Sequence, residues 1–115
     1  MNERIANVLT LMRESAAKAL AYAVAHPNWA DDELVLDAIA KRVEQVAELA
    51  KYRIPRAARG QITEIPWDAI AGMRDRLVHD YTNIDVEVLR AVLAEDLDNL
   101  IGTIDRVLAR READK

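Results

Sequence analysis

The sequence predicts an all-α fold: a single domain over residues 1–115, built as an up-down bundle of four helices. Three observations predict it. Apolar residues recur at steps of three and four in four successive stretches, the stripe a helix needs to bury one face. Only three glycines and three prolines interrupt the chain, and Pro27 and Pro66 fall at a helix end and a helix start. The connectors between stripes are short, which favours antiparallel neighbours.

The first helix spans about Asn2 to His26, with Ile5, Val8, Leu9, Met12, Ala16, Ala19, Leu20 and Ala23 on its apolar face. Its alanine-rich second half lets another helix approach closely, and Pro27 ends it near Ala25. Asp31 is read as the cap of a second helix over about Asp32 to Tyr52, whose buried face holds Val35, Leu36, Ile39, Val43, Val46, Ala47 and Ala50. Residues 54–65 form the loosest segment and read as a loop. The third helix starts at Pro66, a residue with no N–H to lose in a first turn, and carries Ile70, Met73, Leu77 and Tyr81 inward. Thr82-Asn83-Ile84 is a turn. Asp85 caps a fourth helix that runs to about Arg111 on Val88, Leu89, Val92, Leu93, Leu97, Leu100, Ile101, Ile104 and Leu108.

The absence of cysteine excludes disulfides, zinc ribbons and thiol catalysis and favours an intracellular, cytoplasmic location. No stretch is long and apolar enough for a membrane span, and the N-terminus lacks the form of a signal peptide. The net charge of −4 argues against a generic nucleic-acid binder. The charge is unevenly spread, however. From Leu49 to Thr63 there is no acid, while Lys51, Arg53, Arg56 and Arg59 all fall there. This cluster is either a solvated loop or a contact surface for phosphates or an acidic partner.

Chemistry concentrates in Gly72-Met73-Arg74-Asp75-Arg76-Leu77-Val78-His79-Asp80-Tyr81, which holds one of the two histidines. On a continuous helix Asp75 and His79 share a face, so the carboxylate could hold one imidazole nitrogen. Arg76 and Asp80 have the same spacing and could pair. Arg74 and His79 are five apart, about 140° around an ideal helix. Either the arginine reaches round, the helix ends or bends near His79, or two chains build the site. Asp75, His79 and Asp80 are the only close set of metal-ligand types, too few for a convincing metal site, and no cofactor loop or serine elbow is present. His26, beside Pro27, reads as a terminal side chain.

The order Arg74, four residues, His79, one residue, Tyr81 resembles the Arg-x4-His-x-Tyr motif of HepT-type toxins in the HEPN superfamily. Ile65-Pro66-Trp67, Ile70-Ala71-Gly72-Met73-Arg74, Leu36-Asp37-Ala38-Ile39, Glu48-Leu49-Ala50-Lys51, Asn83-Ile84-Asp85 and Glu95-Asp96-Leu97 resemble the surroundings of that motif, so the likeness covers about residues 3 to 108. Two positions depart from the usual pattern: Asp75 stands where Asn is common, and Asp80 where Gly is common. The resemblance implies a homodimeric HEPN-like bundle that cleaves RNA without a metal or cofactor, as the toxin of a toxin–antitoxin pair. It implies Arg74, His79 and Asp75 as catalytic residues; Arg76 and, from the basic stretch, Lys51, Arg53 and Arg56 are then expected on RNA phosphates. It also implies an antitoxin of minimal nucleotidyltransferase fold that silences the toxin by attaching AMP to Tyr81. The competing expectation is a non-catalytic bundle that docks a nucleotidyltransferase and binds RNA or nucleotides without cutting.

Overall fold

The computed structural model describes residues 1–80 and 83–114. Helix α1 (Glu3–Ala25) starts where the Asn2 side chain accepts the Ile5 N–H at 2.9 Å, and stops before Pro27 as the sequence requires. It buries Ile5, Val8, Leu9, Met12, Ala16 and Ala19. A single 3-10 turn, Trp29–Asp31, then drives the Trp29 ring into the core. Asp31 lies inside that turn, so it does not cap the next helix. Asp32 does, accepting the Val35 N–H at 3.2 Å. Both residues are good caps, and the extra turn decides between them.

Helix α2 (Glu33–Tyr52) packs along α1. Ala16 and Ala19 of α1 and Ala40, Ala47 and Ala50 of α2 are all essentially buried, which lets the two backbones lie close. Ser15, buried on α1, donates its hydroxyl to the Arg42 carbonyl at 3.0 Å, so the seam's polar group is satisfied.

The segment expected as a loop folds instead into α3 (Arg56–Gln61). Ile54, Ile62 and Ile65 anchor it in the core. Arg59 holds it to the end of α2: its Nη2 donates to the carbonyls of Ala50 (3.0 Å) and Lys51 (2.9 Å), and its Nε to Ile54 (3.2 Å). The first two carbonyls are orphan acceptors of the α2 C-terminus, and the third lies just beyond it. Arg59 is therefore a cap and leaves the basic surface to its neighbours.

The expected third helix is shorter and broken. It comprises α4 (Trp67–Ala71) and α5 (Met73–Leu77), joined at Gly72. Trp67 is buried and donates its indole N–H to the Ile62 carbonyl at 2.8 Å. Ile70, Met73 and Leu77 face inward as their spacing predicts. The helix then ends. Val78–Asp80 form strand β1, paired antiparallel with β2 (Asn83–Ile84), with Val78 opposite Ile84. The Leu77 carbonyl accepts the Asp85 N–H at 2.7 Å, which withdraws it from any further helical turn. The expected helix to Tyr81 is thus corrected at Val78. Tyr81 and Thr82 lie outside the described residues.

Asp85 caps α6 (Val86–Ala91) as expected, accepting the Val88 N–H at 3.0 Å. A π-helical segment, Val92–Asp96, leads directly into α7 (Leu97–Ala113). The Leu97 N–H bonds the Val92 carbonyl five residues back. That wider turn brings Val92 and Leu97, which an α-helix would set far apart, into the same core.

Helix α1 packs between α2 and α7, and α4 and α5 pack on α2. Arg13 forks onto Asp105 (2.6 and 3.2 Å), and Arg111 pairs with Glu3, so α7 is latched to α1 at its middle and near its C-terminal end. The fold is the expected all-α, HEPN-like bundle, with its third helix reduced to two short pieces. No described helix is long and apolar enough to cross a membrane.

Candidate active site

The motif residues sit where α5 gives way to the hairpin. Arg74, Asp75 and Arg76 are exposed on α5, and His79 is exposed on β1. The break at Val78 removes the helical face that would have joined Asp75 to His79. The His79 ring is held instead by Asp85, six residues on, with Nε2 at 2.8 Å from Oδ2. The imidazole is 63% exposed and the Asp85 side chain 28%. The bond from His79, followed by that from the Val88 amide, holds the Asp85 carboxyl below the usual carboxylate range. Asp85 was legible in the sequence only as a helix cap. Its reach to His79 was not, because six residues match no helical spacing.

Arg74 turns toward α2, where its Nε lies 3.7 Å from Glu44 Oε1. This pair is long and half exposed, so it binds the arginine weakly. Ala47, Glu48, Lys51 and Tyr52 of α2 face Ala71, Arg74 and Asp75 across a cleft of about 280 Å³. Lys51, expected on RNA, therefore stands beside two motif residues. Tyr52 is exposed, with the Lys51 ammonium 5.3 Å from its ring. It also borders a second groove of about 430 Å³ that contains Lys18, Arg42 and Arg53. Arg56 is exposed on α3.

Arg76 faces the other way. It borders a separate cleft with Glu64 before α4 and with Asp96 and Asn99 around the start of α7. Arg76 and Asp80 do not pair: the helix that would have aligned them has ended, and neither has an ion-pair partner among the described residues. The structure thus joins Arg74, Asp75 and Lys51 in one cleft and His79 with Asp85 at the hairpin. It sets Arg76 apart from both. Among the described residues no group of three or more His, Asp or Glu gathers as a metal site.

The sequence that builds this bundle has counterparts among known proteins. The sequence profile described as Ribonuclease HepT-like matches residues 12–107, and the chain belongs to that family. Among its relatives, a probable ribonuclease HepT of Thermococcus cleftensis is 30% identical over 105 residues, covering 91% of this chain and 90% of the relative. A protein of Caldanaerobacter subterraneus subsp. tengcongensis, named by inference as an RNase, is 22% identical over 89 residues, covering 77% and 79%. No solved structure matches the chain.

Proposed function

We propose that the chain is a metal-independent endoribonuclease, the toxin of a toxin–antitoxin pair, whose centre is built on His79 and Arg74 and completed by a second copy of the chain. The observation that carries this reading is the exposed imidazole, fixed by a carboxylate, on the strand that directly follows the helix bearing Arg74. RNA can be cut without a metal when its 2′-hydroxyl attacks the adjacent phosphorus. The O2′–P bond forms and the P–O5′ bond breaks, while one proton leaves the 2′-oxygen and another reaches the 5′-oxygen. That reaction needs a base, an acid and a cation for the phosphorane.

His79 serves as the acid–base group and Arg74 as the clamp on the phosphorane. One chain offers one such imidazole at the motif; two facing chains offer two, one for each proton. The weak Glu44 contact leaves Arg74 ready to exchange its carboxylate for a phosphate. Asp75, in the same cleft, offers an acceptor for a ribose hydroxyl. Lys51, Arg53 and Arg56 hold flanking phosphates, and the exposed Tyr52 ring between the two grooves offers a face on which a base can stack. Arg76 is left out of this contact by its orientation. An antitoxin of nucleotidyltransferase fold attaches AMP to Tyr81, two residues from His79. The added charge and bulk bar RNA from the centre. The setting is the cytoplasm.

The test is RNA cleavage by unmodified protein in excess EDTA, beside His79→Ala and Arg74→Ala, with mass spectrometry confirming that no AMP is attached. Cleavage by the wild type and loss in both variants is expected. Cleavage by all three would place the activity elsewhere. A second reading, a bundle that binds RNA without cutting it, is favoured by Asp80. This exposed carboxylate lies beside His79 with no cationic partner among the described residues, and it repels phosphate. That reading predicts retained, intact RNA and no turnover.

A further inference from the structure

We propose that Asp85 is the positioning residue of His79: it fixes the imidazole with a proton on Nε2 and presents Nδ1 as the nitrogen that meets RNA. A carboxylate accepts hydrogen bonds and donates none, so a ring nitrogen 2.8 Å from Asp85 Oδ2 must carry the proton between them. The neutral ring then has its lone pair on Nδ1. In the base step Nδ1 takes the proton from the 2′-hydroxyl, and the ring becomes a cation beside Asp85. In the acid step a doubly protonated ring gives its Nδ1 proton to the 5′-oxygen, while Nε2 keeps its own throughout.

Asp85 is built to hold this orientation. Its Oδ1 is pinned by the Val88 N–H at 3.0 Å, and its own N–H is pinned to the Leu77 carbonyl at 2.7 Å. The second bond ties the end of α5 directly to the start of α6. The carboxylate that aims the ring is therefore referenced to the helix that carries Arg74. No other side chain of the described residues hydrogen-bonds or ion-pairs with the imidazole. The catalytic part of this role rests on the nuclease reading; the position of the proton does not.

Two variants separate the role from plain helix capping. Asp85→Asn keeps an oxygen for the Val88 N–H but turns an NH2 donor toward Nε2, which favours the opposite tautomer. Asp85→Ser keeps a good cap and is too short to reach the ring. The side-chain 15N shifts of His79, read in alkaline buffer, report the tautomer. The chain has only two histidines, and His26→Gln assigns them. The expected result is an Nε2–H ring in the wild type and an Nδ1–H ring in Asp85→Asn. With that flip, kcat should fall by about 100-fold or more, the scale of a lost acid–base group, while KM stays unchanged. Asp85→Ser should fall less, because its ring samples both tautomers. A flipped proton with unchanged kcat would overturn the proposal. A wild-type ring protonated on Nδ1 alone would overturn it whether or not RNA is cut. Absence of cleavage by the wild type, in contrast, overturns the nuclease reading.

Discussion

At the scale of single residues, Asp85 joins two tasks that the sequence presents separately. It starts α6 and it grips His79, and both bonds favour its ionised form. Because the folded carboxyl titrates below the unfolded reference of about 3.9, its contribution to stability is complete above that value. It is lost as pH falls through the lower folded value. The melting-temperature gap between the wild type and Asp85→Ser should therefore persist at about pH 5 and close below about pH 4. A gap unchanged at lower pH would mean that ionisation of Asp85 does not set the difference. The sequence made the cap readable because Asp before Val86 and Val88 is a local signal. The grip on His79 depends on a hairpin that brings residues six apart together, and no local period announces it.

At the scale of elements, the helical stripes were legible, while the breaks within them and the short α3 were not. Helices α1, α2 and α7 each bury a continuous stripe, so periodicity alone marks them. The third helix carried a stripe as well, through Ile70, Met73 and Leu77, yet it stops at Leu77. Its last carbonyl is claimed from outside by Asp85, a choice that no count of apolar residues contains. Arg59 makes the same point at the end of α2. In the sequence it belongs to a basic cluster; in the structure it closes three carbonyls. Arg59→Ala should lower stability by about 1–3 kcal/mol, the cost of leaving such acceptors unpaired, and should raise amide exchange in α3 and the last turn of α2. Because Arg59 hydrogen-bonds the backbone carbonyls of Ala50, Lys51 and Ile54 rather than motif side chains, RNA affinity should hardly change below the melting transition. A large loss of affinity without a loss of stability would return Arg59 to the binding surface.

At the scale of the whole molecule, the proposed function asks an acidic protein to present cations to an anion without spreading them over its surface. The bundle does this by orientation. Arg74 stands with Lys51 on the α2 side of α5, while Arg76 stands on the α7 side with Glu64 and Asp96. The sequence, which sets the two arginines one residue apart, invites counting both toward RNA. The helix turns them to opposite clefts. This back-to-back placement sets how steeply binding should weaken as salt is added. Each phosphate neutralised on a single strand releases condensed counterions and contributes about −0.7 to the slope of log affinity against log salt. Lys51→Gln should flatten that slope by about 0.7 for each phosphate contact removed, and Arg76→Gln should leave it where it was. On the proposed nuclease reading, the number of ions that RNA sheds on binding follows from the direction two neighbouring guanidiniums face.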